Sequence, residues 1–472
     1  MPTDIDLSFF FTPQAIEKAY WDYKDSKTGL LETDEVSIPM GADGVTWENF
    51  EKQLPILAKN ISNRIFTGEY YFYPFRERDI PKPNGEPRRL SIASIRDVLV
   101  QRQLYEALYP SSEENFSKGI FDKVSFAYRK GKSAPYAVRS IWAAYQKGYI
   151  YALDADIQKF FDNLNHGRLM ELVDNWIGRE SNAGKLIWRF IRTDRVPYDT
   201  YNREKDRKKY FQTQKPKRES RIQGVPQGGV LSGMLANLYL HEFDQWVIEH
   251  LGAEYDLRYF RYADDFVILA KQREIVEKLK EPVGKKLSDD ILVKMHTDPK
   301  KTKISEIPKG ELEFVGFQFT EKLICVKQSN IDKFKNRFLE KLQSEQNYTS
   351  ESYNWEPRLN IAITYCVNPR IIGVEPEICS ICGLPLTGKR NWIAFFAQTI
   401  TDVNQLRRLD RWMRKQVCSY FYNKYRKRLK SSHLRKAGMK NLVNEYFRLR
   451  REHSEFCQCD PEETVFVDLV AE

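Results

Sequence analysis

The sequence predicts an α+β protein in which helices pack on one side of a mainly antiparallel sheet. Three observations carry that expectation. Between residues 71 and 320, segments with apolar residues at helical spacing alternate with short runs rich in aromatic and β-branched residues. Turn-forming Pro and Gly punctuate those runs, as in "IPKPNGEPRRLSI". A hydrophobic content of 42% and an aromatic content of 13% over 472 residues suffice for more than one core, so roughly two to four structural units are expected.

Taken in order, residues 1–70 form an N-terminal helical extension, with helical periodicity in "TPQAIEKAYWDYK" and "TWENFEKQLPILAKNISNRI". Pro-Asn-Gly between two extended runs then marks a hairpin. "IRDVLVQRQLYEALYP" is a helix expected to stop at Pro110. "YIYALDADIQKFFDNL" starts as a buried strand and ends in a turn or helix start. Residues 197–221 are polar and mostly basic, an exposed hairpin or loop. "GGVLSGMLANLYLHEFDQWVIEHL" has a strong helical pattern, and "LRYFRYADDFVILA" predicts two strands meeting at Asp264 and Asp265. "REIVEKLKEPVGKKL" is an amphipathic helix and "LEFVGFQFTEKLICV" is strand-like. Beyond about residue 330 the chain turns helical and very basic. There "VNQLRRLDRWMRKQVCSYFYNKYRKRLK" puts Leu406, Leu409, Trp412 and Met413 on one face and cations on the other.

The formal net charge is +10, which favours a polyanionic partner. No apolar run reaches the roughly 18 to 20 residues a membrane-crossing helix needs, and the first residues lack the basic-then-apolar order of a signal peptide. Seven scattered cysteines point to reduced thiols in a cytosol rather than a disulfide framework. Cys379 and Cys382 stand at knuckle spacing, and Cys457 and Cys459 complete a candidate zinc tetrad. The competing reading is four reduced thiols.

The chemistry concentrates in carboxylates. Asp264 and Asp265 close one strand pair, and Asp156 ends the other candidate core strand. Three carboxylates at adjacent strand ends repel one another unless cations lie between them. Magnesium fits, since it takes oxygen ligands shared between a few carboxylates and substrate phosphates. Two such ions about 4 Å apart activate a 3′-hydroxyl and stabilise a leaving pyrophosphate. Against this stands an ordinary Asp-Asp β-turn.

With these motifs in view, the sequence resembles the bacterial reverse transcriptases of the group II intron type, in which Tyr-Ala-Asp-Asp marks the catalytic turn. The matching boxes run from about residue 70 to 430, and the resemblance implies a right-hand polymerase: fingers over 71–148, palm over 149–320 with the basic insertion 197–221, and a helical thumb and basic C-terminal region over 321–472. "ADIQKFFDNLNH" resembles the first palm motif. It implies Asp156 as metal ligand with the Ile157 carbonyl assisting, and Phe161 under the incoming sugar, where a bulky ring excludes a 2′-hydroxyl. Asp264 is the other implied direct ligand and Asp265 supports the site; two magnesium ions are implied, with manganese as a substitute. "QGVPQGGVLSGMLANLYL" resembles the second palm motif, with Gln227 contacting the base pair or the triphosphate. Here Ser232-Gly233 stands where the family usually has Ser-Pro. Lys82 and Arg88 fall where the family's triphosphate-binding cations lie. "SFAYRKGKSAPYAV" makes Arg129 and Lys132 candidate template contacts. "PKKTKIS" puts Lys301 near the pyrophosphate, and "LEFVGFQF" makes Phe314, Val315, Gly316 and Phe317 the primer grip. Residues 391–428 resemble the maturase thumb. Its Arg407, Arg408, Arg411, Arg414 and Lys415 are candidate phosphate contacts, and interleaved Tyr420, Phe421, Tyr422 and Tyr425 are either stacking groups or core.

Neither a His-Asn-His nuclease arrangement nor the Val-Thr-Gly and Asn-Ala-x-x-His elements of retron enzymes is found. The closest resemblance is therefore to free-standing, defence-associated reverse transcriptases of the bacterial cytoplasm. That implies RNA-directed synthesis of cDNA from dNTPs, a dedicated structured noncoding RNA as template, antiviral defence as the setting, and homo-oligomers as one form of assembly. The alternatives are a maturase-like splicing or mobility protein and a template-independent nucleotidyl transferase on the same palm.

Overall fold

In the computed structural model, the described residues are 2–27, 38–81, 87–116, 122–198, 217–348, 354–372 and 392–456, with the backbone of 375–378 and 385–390. The strands that matter for the site are β1 (Phe75–Pro81), β2 (Pro87–Ile92), β3 (Tyr151–Asp156), β4 (Arg195–Pro197), β5 (Leu257–Tyr262), β6 (Asp265–Ala270) and β7 (Lys303–Glu306). A four-stranded sheet has the order β5-β6-β3-β7, with β3 and β7 antiparallel. Helices and sheets are mixed along the chain, so the α+β class holds. The chain divides into two compact units, residues 1–128, 155–266 and 278–302 in the first, and 129–154, 267–277 and 303–472 in the second. The last two residues of β3 and the first two of β6 fall in the first unit.

In the first unit, helices Pro13–Asp25 and Leu54–Phe66 pack on the long helix Ile95–Phe116. Pro13 opens the first of them, where its missing N–H costs nothing, and the Thr12 hydroxyl accepts from Ala15 N at 3.1 Å. The long helix does not stop at Pro110 as expected but continues to Phe116. The buried Trp176 indole donates to Ser111 Oγ at 2.9 Å, so tertiary packing holds the turn that proline weakens. The expected hairpin is present: β1 and β2 pair antiparallel from Arg76↔Ile92 to Pro81↔Pro87, and β4 adds parallel to β1. Residues 82–86, with Lys82, lie outside the described residues, as do 199–216 of the basic insertion. Helix Ser232–Trp246 buries Leu235, Tyr239, Leu240 and Phe243 completely and continues as a π-helical turn through Leu251.

In the second unit, Ile324–Val326, Phe317–Phe319 and Glu313–Phe314 form a small antiparallel sheet in that order. Helix Val403–Tyr425 buries Leu406, Leu409, Met413, Val417 and Phe421, as its periodicity requires. Glu345, fully buried in this unit, accepts from Arg358 (3.2 Å), Tyr420 (2.9 Å), Lys424 (3.0 Å) and Tyr425 (3.1 Å). Burial raises its carboxyl, but these donors outweigh burial and hold it below the usual carboxylate value. Cys379, Cys382, Cys457 and Cys459 all lie outside the described residues. No helix among the described residues is long and apolar enough to cross a membrane.

Candidate active site

Strand β3 delivers the first carboxylate. Its inner residues Ala152 and Leu153 are fully buried, and Asp156 at its end is 8% exposed. Lys301 Nζ donates to Asp156 Oδ2 at 2.6 Å. The backbone beyond is fixed by His296 N donating to the Asp156 carbonyl (2.7 Å) and Gln158 N donating to the Lys294 carbonyl (2.8 Å). These bonds flank the Ile157↔Met295 bridge, so the Ile157 carbonyl faces away from that segment, as in any non-hydrogen-bonded antiparallel pair.

The second and third carboxylates sit on the turn between β5 and β6. Residues Phe266 to Ala270 are fully buried, which anchors the turn. Ala263 takes a left-handed conformation (φ 60°), a costly one for a residue with a Cβ. Arg261, only 1% exposed, holds it in place: Nη1 donates to the Ala263 carbonyl at 3.1 Å. The same guanidinium grips Asp244 through Nε (2.7 Å) and Nη2 (2.5 Å), and Asn237 Oδ1 through Nη1 (3.0 Å). Tyr259 OH also donates to Asp244 at 2.8 Å. A bidentate, fully hydrogen-bonded pair is the form in which a buried charge is tolerated. Beyond the turn, burial pushes the Asp264 carboxyl up to about 6, and Asp156 adds to the rise while Lys301 and Arg88 oppose it.

A third group of residues closes round this pair. Val225 N donates to the Phe161 carbonyl at 2.7 Å, and Gly224 N to the Leu164 carbonyl at 2.8 Å. Gly224 has φ 76°, and a Cβ there would lie 2.6 Å from the Asp162 carbonyl oxygen, so only glycine permits this approach. Gln227 bridges two elements: Nε2 donates to Asp162 Oδ1 at 3.1 Å, and Oε1 accepts from Arg88 Nε at 3.4 Å. Its carbonyl accepts from Ser91 N of β2 at 2.7 Å. Phe161 is half-buried and meets the Tyr128 ring edge-on, with centroids 6.0 Å apart. Burial raises the Tyr128 hydroxyl to about 12, with Asp264 the next cause.

The family model described as reverse transcriptase (RNA-dependent DNA polymerase) matches residues 80–319, just over half of the chain. The chain belongs to the reverse transcriptase family. Protein YkfC of Escherichia coli K12 is 26% identical over 316 residues, which is 60% of this chain and 76% of that protein. The group II intron-encoded protein LtrA of Lactococcus lactis is 29% identical over 209 residues, 44% of this chain and 30% of LtrA. A 91 kDa protein in a cob intron of Schizosaccharomyces pombe is 33% identical over 193 residues, 40% of this chain and 20% of its own length. The match thus spans under a third of either intron protein. Among solved structures, telomerase from Candida albicans with a telomeric RNA fragment aligns at 11% identity and TM-score 0.42, covering 86% of this chain and 67% of that one.

For this reverse transcriptase, the donor set fits a hard divalent cation. Asp156 and Asp264 offer only oxygen, and burial first, then the charge of Asp156, raises the Asp264 carboxyl despite Lys301 and Arg88. Among the described residues no three His, Cys, Asp or Glu side chains converge on one metal point. Two carboxylates would leave most of a magnesium shell to water and phosphate, in keeping with that ion's habit.

The other expected site residues are divided. Arg88, Phe161, Gln227, Asp156, Asp264, Asp265 and Lys301 all belong to the first unit. In the second, Arg129 is buried at 7% exposure, unlike an open template contact, while Lys132 is half-buried over the Tyr136 ring at 4.6 Å. Of the four expected grip residues, Phe314 and Phe317 are core and only Val315 and Gly316 are partly exposed; Gly316 is held by Asn330 and Lys327 donating to its carbonyl. Arg407, Arg408, Arg411, Arg414 and Lys415 are all exposed on helix Val403–Tyr425. Tyr420 and Tyr425 are tied to Glu345 and Phe421 is buried, so of that aromatic set only Tyr422 is exposed. Sequence reasoning missed Arg261, Asp244, Asn237 and Tyr128. Arg261 carried a signal, being a cation inside the apolar run "LRYFRY".

Proposed function

We propose that this reverse transcriptase copies a dedicated structured noncoding RNA into cDNA from dNTPs, in antiviral defence in a bacterial cytoplasm. The observation that carries the polymerase chemistry is the meeting of Asp156, its partner Lys301 and Asp264, whose carboxyl is raised by burial and by Asp156, at neighbouring strand ends. In this reading Asp156 and Asp264, with the Ile157 carbonyl, hold magnesium or manganese, which supplies activation of the primer 3′-hydroxyl and neutralisation of the departing pyrophosphate. Arg88, with Lys82, grips the triphosphate. Gln227 holds Arg88 over Asp162, and Phe161 reads the sugar. Burial lowers the Lys301 pKa, but its bond to Asp156 outweighs burial and keeps the ammonium protonated, ready to donate to the leaving pyrophosphate. Residues 71–148 act as fingers, 149–320 as palm and 321–472 as thumb. The exposed cations of helix Val403–Tyr425 bind nucleic-acid backbone.

The noncoding RNA and the defence setting rest on the sequence resemblance and the net charge of +10. A second reading, a maturase-like protein acting on an intron RNA, is favoured by the similarity to LtrA. Labelled-dNTP incorporation on copurified RNA, comparing the wild type with Asp264→Ala/Asp265→Ala, tests the chemistry; equal incorporation by both rejects it. Sequencing the bound RNA and cDNA separates defence RNA, intron RNA and untemplated product.

A further inference from the structure

Tyr128 has an unusual position that the functional reading above leaves unused. Its backbone is left-handed (φ 60°), which a bulky aromatic residue adopts only when its surroundings force it. Those surroundings are specific. Arg261 N donates to the Val124 carbonyl (2.8 Å), and Phe126 N donates to the Arg261 carbonyl (3.1 Å). Asn237 Nδ2 donates to the Ala127 carbonyl at 2.8 Å, and its Oδ1 is held by Arg261. The network that fixes the Asp264 turn therefore also fixes the approach to Tyr128.

The ring thus placed stays 45% exposed. One side rests on Gly233 near the start of helix Ser232–Trp246, where a Cβ would come within 2.3 Å of Tyr128 Cγ. The ring also meets Phe161 edge-on at 85°. Any side chain at Gly233 would need the space the ring occupies. The absent side chain and the strained tyrosine are two halves of one fit.

We propose that Tyr128 is a specificity-determining residue that, by bracing Phe161, sets discrimination between deoxyribonucleotides and ribonucleotides, with Gly233 providing the space its ring requires. The inference rests on the reading of Phe161 as the residue under the incoming sugar. A ring braced on one edge cannot retreat from a 2′-hydroxyl, so discrimination depends on the brace as well as on the gate. Tyr128 acts through Phe161 and is a positioning residue in that sense.

The test is the ratio of kcat/KM for a dNTP to that for the matching rNTP, with thermal melting as a folding control. Tyr128→Ala lowers the ratio by about three- to tenfold, the equilibrium worth of one aromatic pair, and Tyr128→Phe, which keeps the ring, restores it. Gly233→Ala leaves the helical backbone undisturbed but displaces the ring, and lowers the ratio in the same way. If Phe161→Ala relaxes discrimination while Tyr128→Ala and Gly233→Ala do not, the brace is refuted and the gate survives. If none of the three relaxes it, the Phe161 reading falls and the brace with it. A loss of dNTP and rNTP use in equal proportion in Tyr128→Ala also overturns the proposal, because it marks a general structural role.

Discussion

Replacing Asp264 by asparagine should make the metal-free protein more stable near neutral pH while abolishing synthesis. Burial and the neighbouring Asp156 raise the Asp264 carboxyl from 3.8 to about 6. At about 1.4 kcal/mol per tenfold change in proton affinity, that disfavours the ionised form by about 3 kcal/mol in the folded state. Asp264 is half-buried, and local hydration reduces the effect, so a gain of about 1–2 kcal/mol is expected for the neutral isostere. The pH dependence has a definite sign. A raised carboxyl adds stability to the wild type that is fully present below the unfolded value of 3.8 and lost as pH rises through about 6. The advantage of Asp264→Asn should therefore be absent near pH 4 and grow to its full size above about pH 6. Thermal melting across that range, with and without magnesium, measures it. Saturating magnesium should stabilise the wild type more than the variant and narrow or reverse the gap, because the cation favours the ionised carboxylate. A variant that melts at or below the wild type near neutral pH without metal would refute the reasoning.

Further outcomes follow from two other parts of the molecule. Arg261→Ala strands Asp244 in the interior and should cost about 3–5 kcal/mol in unfolding experiments; Arg261→Lys keeps the charge but cannot reach Asp244, Asn237 and Ala263 together, so it should fold yet show reduced single-turnover synthesis, and a wild-type rate would remove the positioning role. Arg411→Gln/Arg414→Gln should flatten the plot of log affinity against log salt for template-primer by about 0.7–0.9 per lost phosphate contact, and an unchanged slope would show that this face does not track the backbone.

The Asp-Asp turn was legible because an abrupt pair of charges stands directly before the apolar run 266–270, where a turn accommodates it. The approach of Gly224 to the Phe161 turn was not readable, since the motif shows a glycine but not the backbone it meets. The Arg261–Asp244 pair was not readable, since its members lie on a strand and a helix and no local periodicity links them. Pro110 misled for the opposite reason. A local rule predicted a helix end, and a contact from Trp176, distant in sequence, overrode it. Phe314 and Phe317 face each other across a tight hairpin whose turn is Val315-Gly316, and the motif does not say that the paired rings are the two that face inward. Tyr420 and Tyr425 read as either stacking groups or core, and only the fold reveals that they serve a buried carboxylate. The departure at Gly233 was visible as an oddity, and its meaning emerged with the ring that fills it.

The small sheet of the second unit has a consequence for assembly. Its outer strand, Ile324–Val326, does not present open backbone to solution. The Gln405 amide accepts from Val326 N at 2.9 Å and donates to its carbonyl at 2.9 Å. Thr401 does the same at Ile324, its hydroxyl accepting from Ile324 N and its own N–H donating to the Ile324 carbonyl. Two side chains and a loop thus act as a substitute strand, and the edge is capped. An extended segment from another chain finds no hydrogen-bonding groups to pair with there. Copies of this protein that join one another must do so through surfaces other than this edge, and concentrated solutions are spared one route to strand-mediated aggregation.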